Sequence, residues 1–444
     1  MPHPVNMVKT IPFFKRPDTH TAHKGLIIKI CTVMLFVLCG LHVMAATGSA
    51  RDTVVLGAAT GLTSLEGRES LRAARLAVEQ LNARGGIRMG GRALGVKLVS
   101  IDLKDDRDPL RVTDVLTRLE AFIRSHQIHG LVVGPFRSEV LLPAMDVIAK
   151  YKVPLLETIA MTPAMEAKVL ADPRYRFVFR TGLNTKYLVD VLINTMTFLN
   201  RRLGYTRVYI MNQDVAWARS TASLMIKLYF NRKGWQIVGS EHIAYGTTDF
   251  SAALERAASR GAQVIVPIFD MPHSGALAQQ WKQMRSPAML CGFISPMAGP
   301  GAWKTFDGQI AGALNVIFEL GNVPSDRYPQ AAQFYQAYAA RYGRPMESGH
   351  GPAPAYESVH VLAAAIEAAG SLDPDKIVTA LKSTDRVGVM GRLRFHPSQQ
   401  ALFGSDPSQA AVACLIQWTR DGRRRIVYPP AVAEGEIEPP AVAP

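Results

Sequence analysis

The chain has 444 residues, 48% of them apolar and 19% charged, with 35 glycines, 28 prolines and four cysteines. At roughly 150 residues per domain that length corresponds to two or three domains, and the composition excludes disordered, collagen-like and disulfide-scaffold chains. The formal net charge of +14 is interspersed along the sequence; its one dense basic run, Arg423, Arg424 and Arg425, lacks the interleaved aromatics of a nucleic-acid-binding stripe, so no nucleic-acid partner is expected.

The first feature in chain order is a leader. Lys9, Lys15, Arg16, Lys24 and Lys29 stand against Asp18 alone, and residues 30–41 are apolar apart from Thr32. This stretch is shorter than the roughly 20 residues a spanning helix needs, and it fits the hydrophobic region of a secretory signal. Ala45, Ala46, Gly48, Ser49 and Ala50 follow, so residues 1–50 read as a signal peptide cleaved after Ala46 or Ala50, with export to the periplasm. The alternative is an uncleaved leader acting as a membrane anchor. Cys39, preceded by Leu38, fits lipidation poorly. Two cysteines remain after the leader, Cys291 and Cys414, either buried thiols or one disulfide.

Beyond the leader, short apolar runs alternate with helical patterns. Residues 53–59 read as a strand and 68–83 as a helix, with Leu71, Ala74, Val78 and Leu81 near helical spacing and Gly85 and Gly86 stopping it. Residues 96–102 read as a strand, and Asp108 with Pro109 opens a helix running to 125. Residues 129–133 read as a buried strand ended by Gly134 and Pro135, 138–151 as a helix, and 153–156 as a strand. The pattern restarts after Arg174, with strands at 177–180, 207–211, 236–240 and 264–269 and helices at 187–203, 220–233, 250–260 and 274–284. A third group, 311–369, contains long helices at 328–342 and 355–369. Proline-rich residues 429–444 read as a disordered tail. Repeated βα units imply parallel sheets covered by helices, and two successive units imply two lobes with a cleft between them. Ligands in such sheets bind beyond the carboxyl ends of the strands.

No G-x-S-x-G elbow, phosphate-binding loop, H-E-x-x-H or C-x-x-C is present. His126 and His129 lack a third ligand for a metal. Asp102, Asp105, Asp106 and Asp108 lack calcium-loop spacing and read as a solvated turn capping a helix. Ser138, just after a buried strand and at a helix start, is either a plain cap or part of an anion site built from its hydroxyl and the helix N–H groups. Ala160 and Thr162 follow the next strand and fall on the same sheet edge.

These residues carry a resemblance. Residues 77–86 (A-V-E-Q-L-N-A-R-G-G), 105–109 (D-D-R-D-P), 132–138 (V-V-G-P-F-R-S) and 153–163 (V-P-L-L-E-T-I-A-M-T-P) resemble, in order and spacing, the Leu/Ile/Val-binding family of periplasmic substrate-binding proteins of ABC transporters. Phe179–Thr181, Thr248–Phe250 and the Gly388/Gly391 turn extend the likeness, which runs from about residue 53 to 429. The resemblance implies the α/β type I periplasmic binding fold: two Rossmann-like parallel-sheet lobes, 53–180 plus 321–395 and 181–320 plus 396–428, joined by three crossovers and closing like a hinge. It implies a ligand carboxylate at Ser138, a backbone contact at Ala160, and Thr162 in place of a family threonine that falls at Met161. Trp217 falls where an aromatic covers the ligand, and a second aromatic falls near Phe269 and Asp270. The family's acidic partner for a ligand ammonium falls near Ile294, so Asp270 either supplies that charge or the ligand lacks an amine. Glu66 falls where a covering tyrosine is common and either lines the site or faces solvent.

The function so implied is a non-enzymatic receptor that captures an amino acid, amide or carboxylate and delivers it to an ABC permease. No catalytic residue, cofactor or metal is expected. The alternative is a membrane-tethered sensor of the same fold, which needs an intact leader. Mass spectrometry of the exported protein separates the two: a mature N-terminus at Thr47 or Arg51 is expected, and an intact leader supports the tether.

Overall fold

The computed structural model describes residues 53–439; the leader, its cleavage site and residues 440–444 lie outside that range. Two parallel-rich sheets organise the chain. The first contains β1 (Thr53–Thr60), β2 (Ile87–Met89), β3 (Arg92–Asp102), β4 (Gly130–Val133), β5 (Leu155–Glu157) and β6 (Val178–Arg180), in the order β2-β3-β1-β4-β5-β6, parallel except for the β2–β3 hairpin. The hairpin was not foreseen. Gly90 and Gly91, both at positive φ, turn the chain back two residues at a time, and a three-residue strand is too short to show a period.

The second sheet contains the parallel strands β7 (Arg207–Gln213), β8 (Gln236–Ile243), β9 (Val264–Phe269), β10 (Met289–Ile294) and β11 (Leu314–Ile317). A small sheet of β12 (Asp385–Gly388), β13 (Gly391–Arg394), β14 (Phe403–Gly404) and β15 (Ala411–Val412) follows, with Gly388 paired to Gly391 at its hairpin turn. The chain then returns antiparallel through β16 (Cys414–Trp418) and β17 (Arg424–Tyr428), completing the order β17-β16-β11-β10-β9-β7-β8.

The strands of both sheets are largely apolar because each sheet is covered on both faces. One core cluster spans the first sheet, the helices Leu65–Ala83, Val112–His126, Ser138–Tyr151 and Pro352–Ala369, and part of Pro329–Tyr342. Two further clusters lie around the second sheet: Phe250, Leu277, Trp281 and Trp418 belong to one, Leu192, Met196, Met225 and Phe230 to the other. Cys291 and Cys414 are separate buried thiols, and burial pushes the Cys291 thiol up to about 12. Among the described residues no helix is long and apolar enough to cross a membrane.

The tail is a correction. Residues 429–439 are ordered against the second sheet: Val432 is fully buried, the Glu434 N–H donates to the Ile426 carbonyl while its carboxylate accepts the Ile426 N–H, and Glu438 pairs with Gln417 and with Arg425 at 2.6 Å. Proline removes N–H donors, but the carbonyls and the alternating acids of E-G-E-I-E still find partners, so composition misjudged the segment. The helix expected from Pro109 begins instead at Val112. The expected solvated turn of aspartates is corrected in part: Asp108 is exposed, but Asp105 and Asp106 are buried.

Three stretches carry the chain between the sheets, near residues 180–185, 318–328 and 395–412. A buried polar knot joins the first and third. Arg180 donates to Glu166 (2.8 Å), to Gln400 (3.1 Å) and to the Thr162 carbonyl (2.8 Å), while Asn184 also donates to Glu166 (2.6 Å). The Arg180 side chain has no exposed surface and that of Glu166 has 7%. Cutting one member of such a pair strands a buried charge and costs about 3–5 kcal/mol, whereas replacing both by apolar groups costs much less. Arg180→Met is therefore expected to destabilise the protein by about 3–5 kcal/mol in chemical denaturation, with the Arg180→Met/Glu166→Leu double variant recovering most of the loss.

Candidate functional site

The carboxyl ends of both parallel sheets face one small cavity. Its wall is formed by Glu66 after β1, Phe136 and Ser138 after β4, Ile159, Ala160 and Met161 after β5, Trp217 after β7, Asp270 after β9, Phe293 at the end of β10, Phe318 after β11, and His350 before the helix Pro352–Ala369. It is narrow, with a volume of about 20 Å³, room for about one water.

Buried acids shape the loops on the first-lobe side. The Asp105 carboxylate accepts the backbone N–H groups of Phe136 (2.6 Å) and Arg137 (3.2 Å). Glu157 accepts those of Thr158, Ile159 and Ala160 at 2.8, 2.8 and 3.1 Å. Glu157 fits because Gly134 lies above it, where a Cβ would collide with the carboxylate. Asp106 fastens Thr63 (2.6 Å) and Ser64 (2.5 Å) ahead of Glu66. Burial pushes the Asp105 carboxyl up to about 7 against its backbone bonds, and it raises Glu157 as well. Asp105 and Asp106 thus hold the loops that carry Phe136 and Glu66 to the cavity.

Ser138 opens the helix Ser138–Tyr151, and its hydroxyl is buried with no hydrogen-bond partner. A buried, unpaired hydroxyl costs free energy unless something bonds to it. It lines the cavity at a helix N-terminus, where N–H groups favour negative charge. Opposite, Asp270 accepts Gln213 Nε2 at Oδ1 (2.6 Å) and the Trp217 indole N–H at Oδ2 (2.8 Å), which fixes the indole against the cavity. Trp217 meets Phe293 edge-on (6.1 Å between centroids), and Phe293 lies 4.2 Å from Phe318. The second-lobe side thus presents Trp217 and Phe293 beside Asp270, and the first-lobe side presents Ser138 and Glu66 among Phe136, Ile159, Ala160 and Met161.

His350 links this wall to the crossovers. Its Nδ1 lies 3.0 Å from Glu319 Oε1 and its Nε2 lies 2.7 Å from the Ile159 carbonyl. Both partners only accept, so both ring nitrogens carry hydrogen and the ring is an imidazolium. Burial opposes that charge, but the Glu319 carboxylate and the Ile159 carbonyl outweigh it and hold the pKa above its usual value. Glu319 also accepts Leu183 N–H (3.0 Å) and Asn322 Nδ2 (2.8 Å), which ties two crossovers together.

Contacts cross the cavity at three places. Ser295, after β10, donates to Glu66; Arg137 Nη1 lies 4.0 Å from Asp270; and Ala216 N–H donates to Glu139 at 3.3 Å.

Of the residues expected from sequence, Glu66, Ser138, Ala160, Trp217 and Asp270 line this cavity. Glu66 does not face solvent, being 3% exposed. Two expectations are corrected. Thr162 lies outside, its hydroxyl accepting Ala164 N–H (3.2 Å) at the next helix start, and Met161 takes the wall position. Phe269 points into the second-lobe core against Phe250 (5.8 Å), because successive residues at a strand end alternate sides and Asp270 takes the cavity side. The Ala160 N–H is committed to Glu157, so its backbone contact to a ligand would have to come from another atom. Phe136, Ile159, Met161, Phe293, Phe318 and His350 were missed. Phe136 lay within the G-P-F-R-S segment, and Ile159 and Met161 within residues 153–163, so these were readable; Phe293, Phe318 and His350 converge only in three dimensions. A larger hollow bordered by Trp281, Arg285, Trp418 and Arg420 lies at the amino ends of the second sheet's strands and shares no residue with the cavity. Among the described residues, no group of three or more His, Cys, Asp or Glu could hold a metal.

With this geometry in hand, comparison with known proteins is informative. Residues 54–406 match the model of a family described as periplasmic binding protein. The chain is 25% identical over 370 residues to the leucine-, isoleucine-, valine-, threonine- and alanine-binding protein of Pseudomonas aeruginosa, covering 81% of this chain and 90% of that one. It is 28% identical over 330 residues to the Leu/Ile/Val-binding protein BraC3 of Rhizobium johnstonii, covering 73% and 81%. Its structure matches that of LivJ from Streptococcus pneumoniae, a branched-chain amino acid transporter substrate-binding protein in complex with isoleucine, with a TM-score of 0.69 and 20% identity, over 85% of this chain and 100% of that one.

Proposed function

Because the chain belongs to the periplasmic binding protein family, we propose that it is an exported receptor that captures a small polar solute between its lobes and hands it to an ABC permease. One observation carries this reading: the cavity where both sheets' carboxyl ends meet contains a serine hydroxyl at a helix start that is buried and unpaired. A ligand carboxylate or amide oxygen accepts from it and relieves that cost. The apolar part of the solute then lies against Trp217, Phe293 and Phe318.

Asp270 supports two heads differently. Each of its oxygens already accepts one hydrogen bond but retains acceptor capacity, so it can take a ligand ammonium. A solute lacking an amine leaves Asp270 to hold Trp217 in place. Capture without turnover follows from the same geometry, since Ser138 has no base within hydrogen-bond reach to activate it. The contacts that cross the cavity exist only when the lobes are shut, and such differential contacts shift the equilibrium toward closure.

Thermal-shift screening of the purified protein against amino acids, amides and carboxylates tests the reading. A true solute at a hundred times its Kd stabilises by about 2.7 kcal/mol. Stabilisation by none of them, with the protein folded, rejects it. Given a hit, Ser138→Ala is expected to weaken binding by about 1–3 kcal/mol and Trp217→Ala by at least as much, both without loss of fold. Calorimetry reads this, and unchanged affinity in both variants removes the assigned cavity. Asp270→Asn weakens binding strongly only for solutes that carry an ammonium.

A further inference from the structure

We propose that Glu66 is a closure-positioning residue: it joins the lobes through Ser295 and takes up a proton as they shut, so that solute capture is linked to proton uptake. This rests on the solute-binding reading and adds a regulation to it.

Glu66 stands in the first turn of the helix Leu65–Ala83, on the first sheet's side, and its carboxylate accepts from the Ser295 hydroxyl, on the second sheet's side. It is buried, and no lysine or arginine bonds to it. The charged groups facing it come from both lobes. Asp270, after β9, brings a like charge; the Arg137 guanidinium lies toward Asp270; and the positive His350 ring is already engaged by Glu319. A carboxylate shut into this space loses water, gains one hydroxyl and meets a second carboxylate.

A proton on Glu66 removes that penalty. In the closed form burial pushes its carboxyl up to about 7, opposed by the Ser295 bond and reinforced by Asp270. When the lobes part, Ser295 and Asp270 withdraw, water returns, and the group goes back toward the ordinary carboxylate value. The closed form therefore binds the proton more tightly. Closure is favoured progressively as pH falls through about 7 toward the ordinary value, and the dependence is flat above and below that window.

The experiment measures L-leucine affinity by calorimetry at pH 5.5 and 8.0, a range in which leucine stays zwitterionic, together with small-angle scattering of the ligand-free protein at both pH values. The wild type is expected to bind roughly tenfold or more tightly at pH 5.5, with net proton uptake revealed by buffers of different ionisation enthalpy. Its radius of gyration is expected to be smaller at pH 5.5, and Glu66→Gln abolishes both dependences. Equal wild-type affinity at the two pH values, or a dependence that survives in Glu66→Gln, overturns the proposal. If leucine does not bind, the scattering decides: compaction on acidification that is lost in Glu66→Gln supports it, and a constant radius overturns it. The broader screen alone judges the solute-binding reading. If Glu66→Gln does not fold, Ser295→Ala is the second variant. Removing the opposing bond moves the midpoint of the pH dependence upward, and an unmoved midpoint overturns the proposal.

Discussion

Burying charge between two lobes is the constraint on which this molecule depends. Arg180 is sealed from water where the chain passes from one sheet to the other, and such a guanidinium is tolerable only with close pairing. Glu166, Gln400 and the Thr162 carbonyl provide it, and they come from different segments. The passages are therefore registered to one another by polar geometry, which is more directional than apolar contact. The Glu319–His350 pair does the same on the other crossover and reaches the cavity through the Ile159 carbonyl.

That arrangement explains how two apolar, separately cored sheets present a coordinated site. Each lobe has its own hydrophobic packing, so neither needs the other for its core. What spans the cavity is sparse and polar: a hydroxyl on Glu66, a guanidinium near Asp270, a backbone N–H on Glu139. Sparse polar contacts are individually modest. The cost of shaping the loops is borne below the cavity by Asp105, Asp106 and Glu157, leaving Ser138 unpaired above them.

Membership of the family places the chain among periplasmic binding proteins, but the cavity has its own character. Met161 stands where a threonine was sought, the Ala160 N–H is turned inward, and acids approach from both sides through Glu66 and Asp270. Aromatic rings fill much of the second-lobe wall.

Much of the fold was legible because its signals are local. Apolar runs of four to six residues, helices with a regular apolar face, and glycines at positive φ mark the βα units directly, and the helix Ser138–Tyr151 appears with the bounds its sequence implied. Ser138 was legible as a candidate because it follows a readable buried strand, whereas Trp217, Asp270 and Glu66 came only from the resemblance to the Leu/Ile/Val-binding family. What the sequence could not determine depends on distance in space. Whether Asp105 meets water or a backbone amide, whether Phe269 or Asp270 turns toward the cavity, and whether the proline-rich tail finds arginines to pair with are settled by which elements pack together. Local pattern specifies the elements, since period and turn chemistry act over a few residues. Only the tertiary structure decides burial and partnership, and these set the charge, protonation and exposure of every group in the cavity.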